Sequence, residues 1–499
     1  MVKKRKLLSP ITILMIVIVI AAIGTWLVPS GRYNTLSFEE SIFKYNTDTT
    51  VADLPFTQKT LDSLHISIAP DKFSSGAIRK PVTVPHTFHP IKKNAQGPLD
   101  ILEAPIKGIS DSIDIILFLL VIGGFMSVFH ETGAMVKGLT SLSYKMKGRE
   151  AWLIITLTFF FSFGGASYGM AEEALVFYPV MVPLFLAAGY DLIVPVAVIF
   201  GGTQLGTLSS FTNPFATIIA SNAAGVNWTD GLSERILMFV ISTGITIWYL
   251  VRYAQKVKKD PSKSIVFKTD GNTVSPYENI TTTSSMEPLE GRTKLLMTLF
   301  LLTFLTMIAG VVFFDWWLTE MTALFLGVSI LISLITRTPE SKFLQHFIKG
   351  SEGMLSVAFI VGVARGVTLV LNNGHISDSI LFYSANLVSG MPSSLFIVVL
   401  LILFMIFTLF ISSSSGMAVL TMPIIGGLAI IVNVPGREIV NTYLFGMGIM
   451  GFMTPTGLIL PSLALVNVSL KAWWKFIYPL LLILFAVCTI FLIIGIYLK

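Results

Sequence analysis

Long apolar stretches separated by short polar connections run along almost the whole chain. A stretch of about 20 apolar residues can cross the roughly 30 Å hydrocarbon core of a bilayer as a helix. Nine stretches are predicted to do so: 10–28, 112–133, 193–224, 233–251, 295–314, 320–336, 351–372, 439–470 and 475–498. Two more, 151–188 and 392–432, are apolar but interrupted by Gly and Ser near their middle. The pattern therefore predicts an all-α membrane protein.

Lysine and arginine clusters between the stretches predict the orientation of the chain, because cytoplasmic loops carry an excess of these residues. The clusters lie at 3–6, 137–149, 252–263 with 292–294, 337–349 and 471–475. Placing all of them in the cytoplasm requires 151–188 and 392–432 each to enter and leave on one side. Both are predicted to be re-entrant hairpins, the first opening to the cytoplasm and the second to the outside.

The same pattern divides the chain into seven segments. They are a signal-anchor helix at 1–28, a polar extracytoplasmic cap at 29–110, a first repeat at 111–253 with hairpin 151–188, a flexible cytoplasmic linker at 254–293, scaffold helices at 294–350, a second repeat at 351–470 with hairpin 392–432, and a C-terminal transmembrane helix at 471–499. The N-terminus is expected in the cytoplasm and the cap outside the cell membrane.

Three short strings recur in the same order in the two halves of the chain. The pairs are IGGFMSVFHETGA at 122–134 with VGVARGVTLVLNNGH at 361–375, SYGMA at 167–171 with SSGMA at 414–418, and SFTNPFATIIAS at 210–221 with MTPTGLILPS at 453–462. Because the charges place the halves in opposite orientations, we expect inverted repeats. Inverted repeats with broken helices are typical of secondary transporters, which bind substrate near the membrane midplane.

Composition excludes a soluble protein. Hydrophobic residues make up 54% of the 499 residues and charged residues 12%, whereas soluble proteins carry about 25% charged residues. The mean hydropathy is +0.79. The net charge of +6 comes from loop clusters, so no nucleic-acid partner is expected. The single cysteine, Cys488, lies in an apolar stretch, so no disulfide, metal or cofactor is expected.

Two adjacent carboxylates lie inside the first interrupted stretch, in SFGGASYGMAEE at 162–173. Glu172 and Glu173 carry the only charges between 151 and 190. A charged carboxylate at the centre of a membrane helix costs about 2.5–3.5 kcal/mol on insertion scales, so each needs a partner or a function. We predict that they bind a cation. Pairing with a basic residue such as Arg365, or capping of the next helix, is the structural alternative.

Prolines interrupt one predicted span in each half. Pro214 lacks an amide donor and disfavours helix at the preceding residue, and FMTPTG at 452–457 is the matching break. A broken helix is tolerated inside a membrane where it lines a cavity, although a packed proline kink is the alternative. The substrate ligands predicted at these breaks are Ser210, Thr212, Asn213, Pro214, Thr454, Pro455 and Thr456.

Four serines interrupt the second stretch, in ISSSSGM at 411–417, within a run of residues from Ser379 to Gly436 that carries no charge. The N-terminus of a helix that begins here would bind a carboxylate. Serines bonded to helix backbone are the alternative. The ligands predicted at the two hairpin tips are Ser167 and Gly169 in the first half and Ser413, Ser414, Ser415 and Gly416 in the second.

Six strings spread along the chain are similar to those of a known carrier family: LVPSGRY at 27–33, EAPIKGI at 103–109, VIGGF and ETGA within 121–134, GMAEEALVFYPVMVPL at 169–184, NPFATIIASNAAG at 213–225 and SLKAWWKFIYPLL at 469–481. On these strings the chain resembles the YfcC-type basic amino acid antiporters, within the anaerobic C4-dicarboxylate carrier group of the ion-transporter superfamily. The resemblance implies an elevator-type carrier: a scaffold holds a homodimer while a transport domain with two hairpins slides across the membrane. Thr454-Pro455-Thr456 departs from Thr212-Asn213-Pro214, so no sodium site is transferred between the halves.

Hydroxyls and helix N-termini for an anionic group, with two carboxylates for a cationic one, favour a basic amino acid as substrate. The resemblance implies arginine/ornithine antiport. A sodium- or proton-coupled C4-dicarboxylate carrier is the first alternative, in which the serines bind substrate and the glutamates the coupling ion. An intramembrane enzyme is a remote alternative, because the sequence contains no His-Glu-x-x-His motif and its histidines lie mostly outside the spans.

Overall fold

The computed structural model describes the protein at residues 9–39, 41–66, 68–74, 78, 81–145, 149–270, 290–314, 316, 318–388, 390–432 and 434–497. Eight helices of these residues are long and apolar enough to cross a membrane. The prediction of a mostly helical membrane protein is therefore confirmed for the described part of the chain.

The helices of the two halves follow one another in the same order. The first half contains α5 (Ile113–Glu131), α6 (Ala134–Lys145), α7 (Glu150–Ser167), α8 (Tyr178–Ala187), α9 (Ile193–Leu208), α10 (Ile219–Ala223) and α11 (Leu232–Lys259). The second contains α15 (Glu340–Asn373), α16 (Ser377–Val388), α17 (Ser393–Phe410), α18 (Ser414–Ile431), α19 (Gly436–Gly451), α20 (Ile459–Val466) and α21 (Leu470–Tyr497). In both halves a break precedes the fourth helix and another precedes the sixth.

The remaining helices lie before and between the halves. They are α1 (Pro10–Leu27), α2 (Gln58–Ser63), α3 (Asp71–Ser74), α4 (Pro98–Asp111), α12 (Ile265–Asp270), α13 (Gly291–Phe314) and α14 (Leu318–Thr336). Two 3-10 turns, Glu172–Phe177 and Pro261–Lys263, and one π-helical turn, Pro214–Ile218, complete the helical structure of the described residues.

The β-strands of the described residues all lie in the segment predicted as the cap. Its described residues contain strands β1 (Gly31–Arg32), β2 (Thr35–Glu39), β3 (Ile42–Asn46), β4 (Val51–Leu54), β5 (Val82–Thr83) and β6 (His89–Pro90). They form a four-stranded antiparallel sheet in the order β4-β3-β2-β5 and a β1-β6 pair. Leu36 and Phe43 of the sheet are fully buried and belong to the same hydrophobic cluster as the helices, so their burial stabilises the sheet.

Helices run across three of the predicted segment boundaries. Residues 98–111, predicted as the end of the cap, form helix α4. Gly108 lets α4 pack closely on α15, since a β-carbon there would lie 2.2 Å from the Gly362 carbonyl oxygen. The predicted scaffold boundary at 350 falls inside α15, which runs unbroken from Glu340. The linker predicted from 254 is helical as far as Asp270, apart from short turns, and its residues 271–289 lie outside the described part.

The early part of that linker is ordered by polar contacts to the first half. The Asp191 carboxylate accepts hydrogen bonds from the hydroxyls of Tyr253 and Ser264, each at 2.6 Å. Nearby, Lys258 forms an ion pair with Glu150 at 2.8 Å. These contacts fix the end of α11 beside the loop that precedes α9.

The core of the protein is built around α9 and α19, which are buried along nearly their whole length. The two helices cross at small residues: a β-carbon on Gly448 would lie 2.3 Å from Leu208 Cβ. The Gln204 amide also donates to the Gly448 carbonyl at 3.2 Å. Because Leu208 ends α9 and Gly448 lies one turn before the end of α19, the crossing brings the second break of each half close together.

Candidate functional site

The segment predicted as the first hairpin tip follows the end of α7. Gly169 has a φ of +84°, a left-handed conformation that glycine adopts at little cost. Its amide and that of Met170 both donate to the Gly164 carbonyl, at 3.1 and 3.2 Å. The chain thus leaves the helix axis and begins the 3-10 turn that carries Glu172 and Glu173.

Glu173 is the buried member of the glutamate pair, with 7% of the residue exposed, whereas Glu172 is partly exposed. The Glu173 carboxylate accepts a hydrogen bond from the Ala171 amide at 2.9 Å, as in the predicted capping alternative. Arg365, the basic residue suggested as a neutralising partner, instead faces Asp111 at 3.5 Å. The glutamate turn packs against α5, α8 and α9.

Asn213 organises the break after α9. Its side-chain oxygen accepts from the amides of Phe215 and Ala216, at 2.9 and 3.1 Å, which caps the π-helical turn that begins at Pro214. Its side-chain amide donates to the Gly165 carbonyl of α7 at 3.0 Å. One buried side chain therefore satisfies backbone groups on both sides of the break.

Four predicted ligands of the first half lie around the contact between Asn213 and α7. They are Ser167, Gly169, Thr212 and Asn213. The Thr212 hydroxyl donates to the Ser167 carbonyl at 2.9 Å, beside the Asn213 contact to α7. A β-carbon on Gly169 would lie 2.8 Å from the Asn213 side-chain oxygen, so the tip and the break touch. The Ser167 hydroxyl itself donates back to the Phe163 carbonyl within α7, at 2.6 Å.

The other two predicted residues of this break differ in their surroundings. Ser210 is buried, and its hydroxyl contacts that of Thr217 at 2.5 Å inside the turn. Pro214 is exposed at the first position of the π-helical turn. Ser210 therefore supports the turn, whereas Pro214 lies on its accessible side.

The serine tip of the second half starts helix α18, as the sequence predicts. The Ser413 hydroxyl accepts from the Gly416 amide at 3.2 Å, a local bond in the first turn. The Ser414 carbonyl accepts from the Tyr443 hydroxyl of α19 at 2.7 Å. Ser415 lies in the first turn of α18 and is partly exposed.

The second break joins the serine tip through threonines. The Thr456 hydroxyl donates to the Leu409 carbonyl, in the last turn of α17, at 3.1 Å. It also contacts the Thr454 hydroxyl at 2.9 Å, and both threonines are buried. Pro455, between them, is partly exposed.

The elements that carry the predicted ligands of the two halves pack against each other. Helix α18, which begins at the serine tip, packs against the π-helical turn and against α10. A β-carbon on Gly426 of α18 would lie 3.6 Å from the Ala224 β-carbon, just beyond α10. The contacts described for the Glu173 carboxylate stay within the first half.

The chain matches the family described as "DcuC: C4-dicarboxylate anaerobic carrier" over residues 7–497. It belongs to this family. A Haemophilus influenzae protein described as "Uncharacterized protein" is 38% identical over 99% of this chain and 98% of its own length. An Escherichia coli K12 protein named "Putative basic amino acid antiporter YfcC" is 28% identical over 97% of this chain and 95% of its own. The resemblance stated from the sequence is thus confirmed.

Two solved transporter structures align with this DcuC-family chain at low similarity. The YdaH transporter of Alcanivorax borkumensis has a TM-score of 0.40 at 12% identity, covering 98% of both chains. Neisseria gonorrhoeae MtrF, described with a class of antimetabolite efflux pumps, has a TM-score of 0.39 at 13% identity, covering 99% of this chain and 96% of its own. The family match, together with the eight apolar helices, indicates a multi-pass membrane transporter and not an enzyme.

Sequence reasoning missed one group of charged residues in this DcuC-family protein. Arg235 and Glu438 are fully buried, although both lie near helix ends that look like ordinary polar loop boundaries. The available signal is that Glu234-Arg235 and Arg437-Glu438 each fall in the first turn of a long apolar helix. Their partners come from distant parts of the sequence, so only the tertiary structure brings them together.

Proposed function

We propose that this protein exchanges cationic amino acids across the cell membrane, with arginine entering and ornithine leaving. The observation that carries the proposal is the Glu172–Glu173 pair at the tip of a broken membrane helix, with Glu173 buried and Arg365 engaged with Asp111. Among the described residues, the ion pairs of Lys and Arg do not include Glu172 or Glu173. An amino acid with a cationic side chain would supply the opposite charge. The name of the YfcC relative supports the same substrate class.

Glu172 and Glu173 bind the side-chain cation in this proposal. Glu173 is oriented by the Ala171 amide, which leaves its second carboxylate oxygen for a ligand. Partly exposed Glu172 is adjacent in the same turn. A guanidinium or ammonium donates several hydrogen bonds to carboxylates and offsets their burial.

The α-carboxylate and α-amino groups bind at the serine tip and the two breaks. Helix α18 has 18 residues, and its first amides and the Ser414 and Ser415 hydroxyls provide donors for a carboxylate. Asn213 and Thr454 line the breaks and complete the polar surface. Both ends of a basic amino acid are thereby recognised by groups from different halves of the chain.

Transport proceeds by an elevator movement of two inverted repeats in a homodimer. The common order of α5–α11 and α15–α21, with breaks at corresponding places, supports the repeats. Exchange follows because an empty transport domain would carry two uncompensated carboxylates through a low-dielectric environment, which is costly, whereas a bound cation compensates them. Net uptake without a counter-substrate is therefore slow.

Reconstitution tests this function directly. Purified protein in liposomes preloaded with ornithine should take up labelled arginine, and liposomes preloaded with buffer should not. Unlabelled lysine should compete, and succinate should not. Equal arginine uptake into both kinds of liposome would contradict obligatory exchange, and no uptake into either would contradict the substrate class.

A C4-dicarboxylate carrier is the second candidate, because the matching family is described by that substrate. In that case the serine tip binds the substrate carboxylates and the glutamates bind sodium or a proton. Labelled succinate would then enter empty liposomes under an imposed sodium or proton gradient. Uptake of succinate that arginine does not inhibit would replace the first proposal with this one.

A further inference from the structure

A network of buried charged and polar side chains joins two parts of the chain that are far apart in sequence, the start of α11 and the start of α19. Arg235 at the start of α11 is fully buried, and its guanidinium donates to the Trp228 carbonyl and, at 3.4 Å, to the Asn441 side-chain oxygen of α19. The Asn441 amide donates to the Glu438 carboxylate at 3.3 Å. Asn441 therefore connects a buried cation of the first half to a buried carboxylate of the second.

Two further ion-pair contacts extend this connection. Arg437 Nε lies 3.3 Å from Glu234 Oε1 and 3.4 Å from Glu438 Oε1. Acidic and basic groups thus alternate across the start of α11 and the start of α19. We name Glu234, Arg235, Arg437, Glu438 and Asn441 the ionic clasp.

Close backbone approaches seal the ionic clasp on two sides. A β-carbon on Gly495 of α21 would lie 2.4 Å from the Glu438 carboxylate carbon. A β-carbon on Gly231, whose φ is +77°, would lie 3.0 Å from Glu234 Oε2. Side chains at these positions would displace the charged groups, so glycine leaves the room that the network needs.

Such a network is not explained by stability alone. Burying charged groups costs several kcal/mol per ion, and well-packed apolar residues often stabilise a fold at least as well. Directional bonds, by contrast, fix the register of the elements that they join. The elements joined here are the segments that directly follow α10 and α18.

The position of the ionic clasp relates it to the proposed binding site. The π-helical turn that leads into α10 begins at the Asn213 break, and α18 begins at the serine tip. The two helices approach each other at Ala224 and Gly426, and the segments after them meet where Gly436 lies against Val226. The ionic clasp lies directly after these two segments, at the starts of α11 and α19. It therefore holds α10 and α18 together at the ends that are remote from the proposed binding site.

We infer that the ionic clasp positions the Asn213 break and the serine tip relative to each other. The inference rests on the proposed function only because it takes this break and this tip as parts of the substrate-binding site. Arg235, Asn441 and Glu438 are positioning residues: they act through the α10–α18 contact and do not bind substrate. Loss of the network should let α10 and α18 shift while the helices remain folded.

A disulfide between α10 and α18 measures that contact without any substrate. The β-carbons at positions 224 and 426 would be 3.6 Å apart, within the range of about 3.5–4.5 Å that disulfides require. Ala224→Cys/Gly426→Cys is made in a Cys488→Ala background. Formation of the cross-link is followed in liposomes after addition of a mild oxidant.

The test variant is Arg235→Met/Glu438→Gln, which removes one positive and one negative charge at nearly constant volume. Its matched control is Glu150→Gln/Lys258→Met, which removes the 2.8 Å ion pair near the other end of α11. We expect the cross-link to form about tenfold more slowly in the test variant and at the unchanged rate in the control. The half-saturating arginine concentration should rise about tenfold, with the maximal rate per folded transporter changing much less.

Gly495→Ala provides a second perturbation if the double variant does not fold. The added methyl group must move the Glu438 carboxylate, and the cross-link should again slow. Cross-linking at the wild-type rate in either folded variant would overturn the inference. Slower cross-linking in a protein whose parent transports no cationic amino acid would support the positioning role and contradict only the proposed function.

Discussion

In both halves, side chains of the broken helix donate hydrogen bonds to backbone carbonyls of the helix that precedes the tip, but the side chains differ. In the first half, Thr212 and Asn213 donate to the last carbonyls of α7, and the backbone amides of Phe211 and Thr212 both donate to the Ala166 carbonyl. In the second half, the Thr456 hydroxyl donates to the Leu409 carbonyl of α17. The first tip is followed by two glutamates and the second by an apolar helix.

This difference suggests a division of labour between the halves. In the first half Asn213 caps two amides of its break, and the turn after α7 carries Glu172 and Glu173. Groups that bind an ion need a fixed geometry. The second tip presents uncharged donors at the start of α18. We expect changes in the first half to impair transport and folding more than matched changes in the second.

The largest effect is expected at the two glutamates that follow the first tip, because the residues that follow the second tip are uncharged. Glu172→Gln/Glu173→Gln should reduce arginine–ornithine exchange about 100-fold, because a cation in a low-dielectric site loses both counter-charges. Initial rates of exchange in liposomes measure the loss. Glu352→Gln, on the exposed side of α15, serves as the control. Normal exchange by the double variant would exclude the glutamate mechanism.

A smaller effect is expected at Asn213 and Thr456, the residues whose side chains bond each break to its tip. Asn213→Ala loses a cap of two amides and a bond to α7, and should lower the free energy of unfolding by about 2–3 kcal/mol. Thr456→Val loses one bond to α17 and should cost about 1 kcal/mol. Equilibrium unfolding in mixed micelles gives both values. Equal losses would show that the two breaks are equally secured.

A smaller difference is expected between the glycines of the two tips. Gly169→Ala places a β-carbon in a left-handed conformation, at a cost of about 1–2 kcal/mol, and against Asn213. Gly416 lies inside α18, so Gly416→Ala should be neutral or stabilise by up to about 1 kcal/mol. The thermal unfolding midpoint in one detergent should therefore fall for Gly169→Ala and stay level or rise for Gly416→Ala. A fall for both variants would mean that the second tip is as constrained as the first.

The smallest effect is expected outside both tips, in the β1-β6 pair of the cap. His89 Nδ1 contacts the Thr87 carbonyl and His89 Nε2 contacts the Asp48 carboxylate, at 2.9 and 2.7 Å. Since both partners only accept, both ring nitrogens must carry protons, and the Thr87 bond followed by the Asp48 bond raises the pKa of His89. The protonated form is therefore favoured in the folded cap.

The sign of the pH dependence follows from that pKa. The stabilisation is complete below the unfolded pKa of about 6.5 and is lost as the pH rises through the higher folded value. It should stay below about 1 kcal/mol, because the pair is partly exposed. Hydrogen exchange in β1 and β6, corrected for intrinsic rates, should show less protection at pH 8 than at pH 5.5. His89→Gln should remove this difference.

Hydropathy and turn residues were sufficient to locate the long apolar helices and their interruptions, but not the shorter helices such as α4, α6 and α16. Gly169 ends α7, Pro214 starts a new turn, and the serines at 413–415 begin α18, because these are local conformational preferences that depend little on the rest of the chain. The boundary at α4 could not be found in this way. Its packing against α15 depends on Gly108 meeting Gly362, two residues more than 250 positions apart in the sequence.

The sequence by itself determined that this protein lies in a membrane, belongs to a carrier family and has two breaks in each half. These properties follow from composition, from local backbone preferences and from similarity along the chain. The tertiary structure alone decided the partners of the charged groups: Arg365 faces Asp111, and Arg235 reaches Asn441. The reason is physical, since the energy of a buried charge depends on which distant side chains surround it, and sequence patterns do not contain those distances.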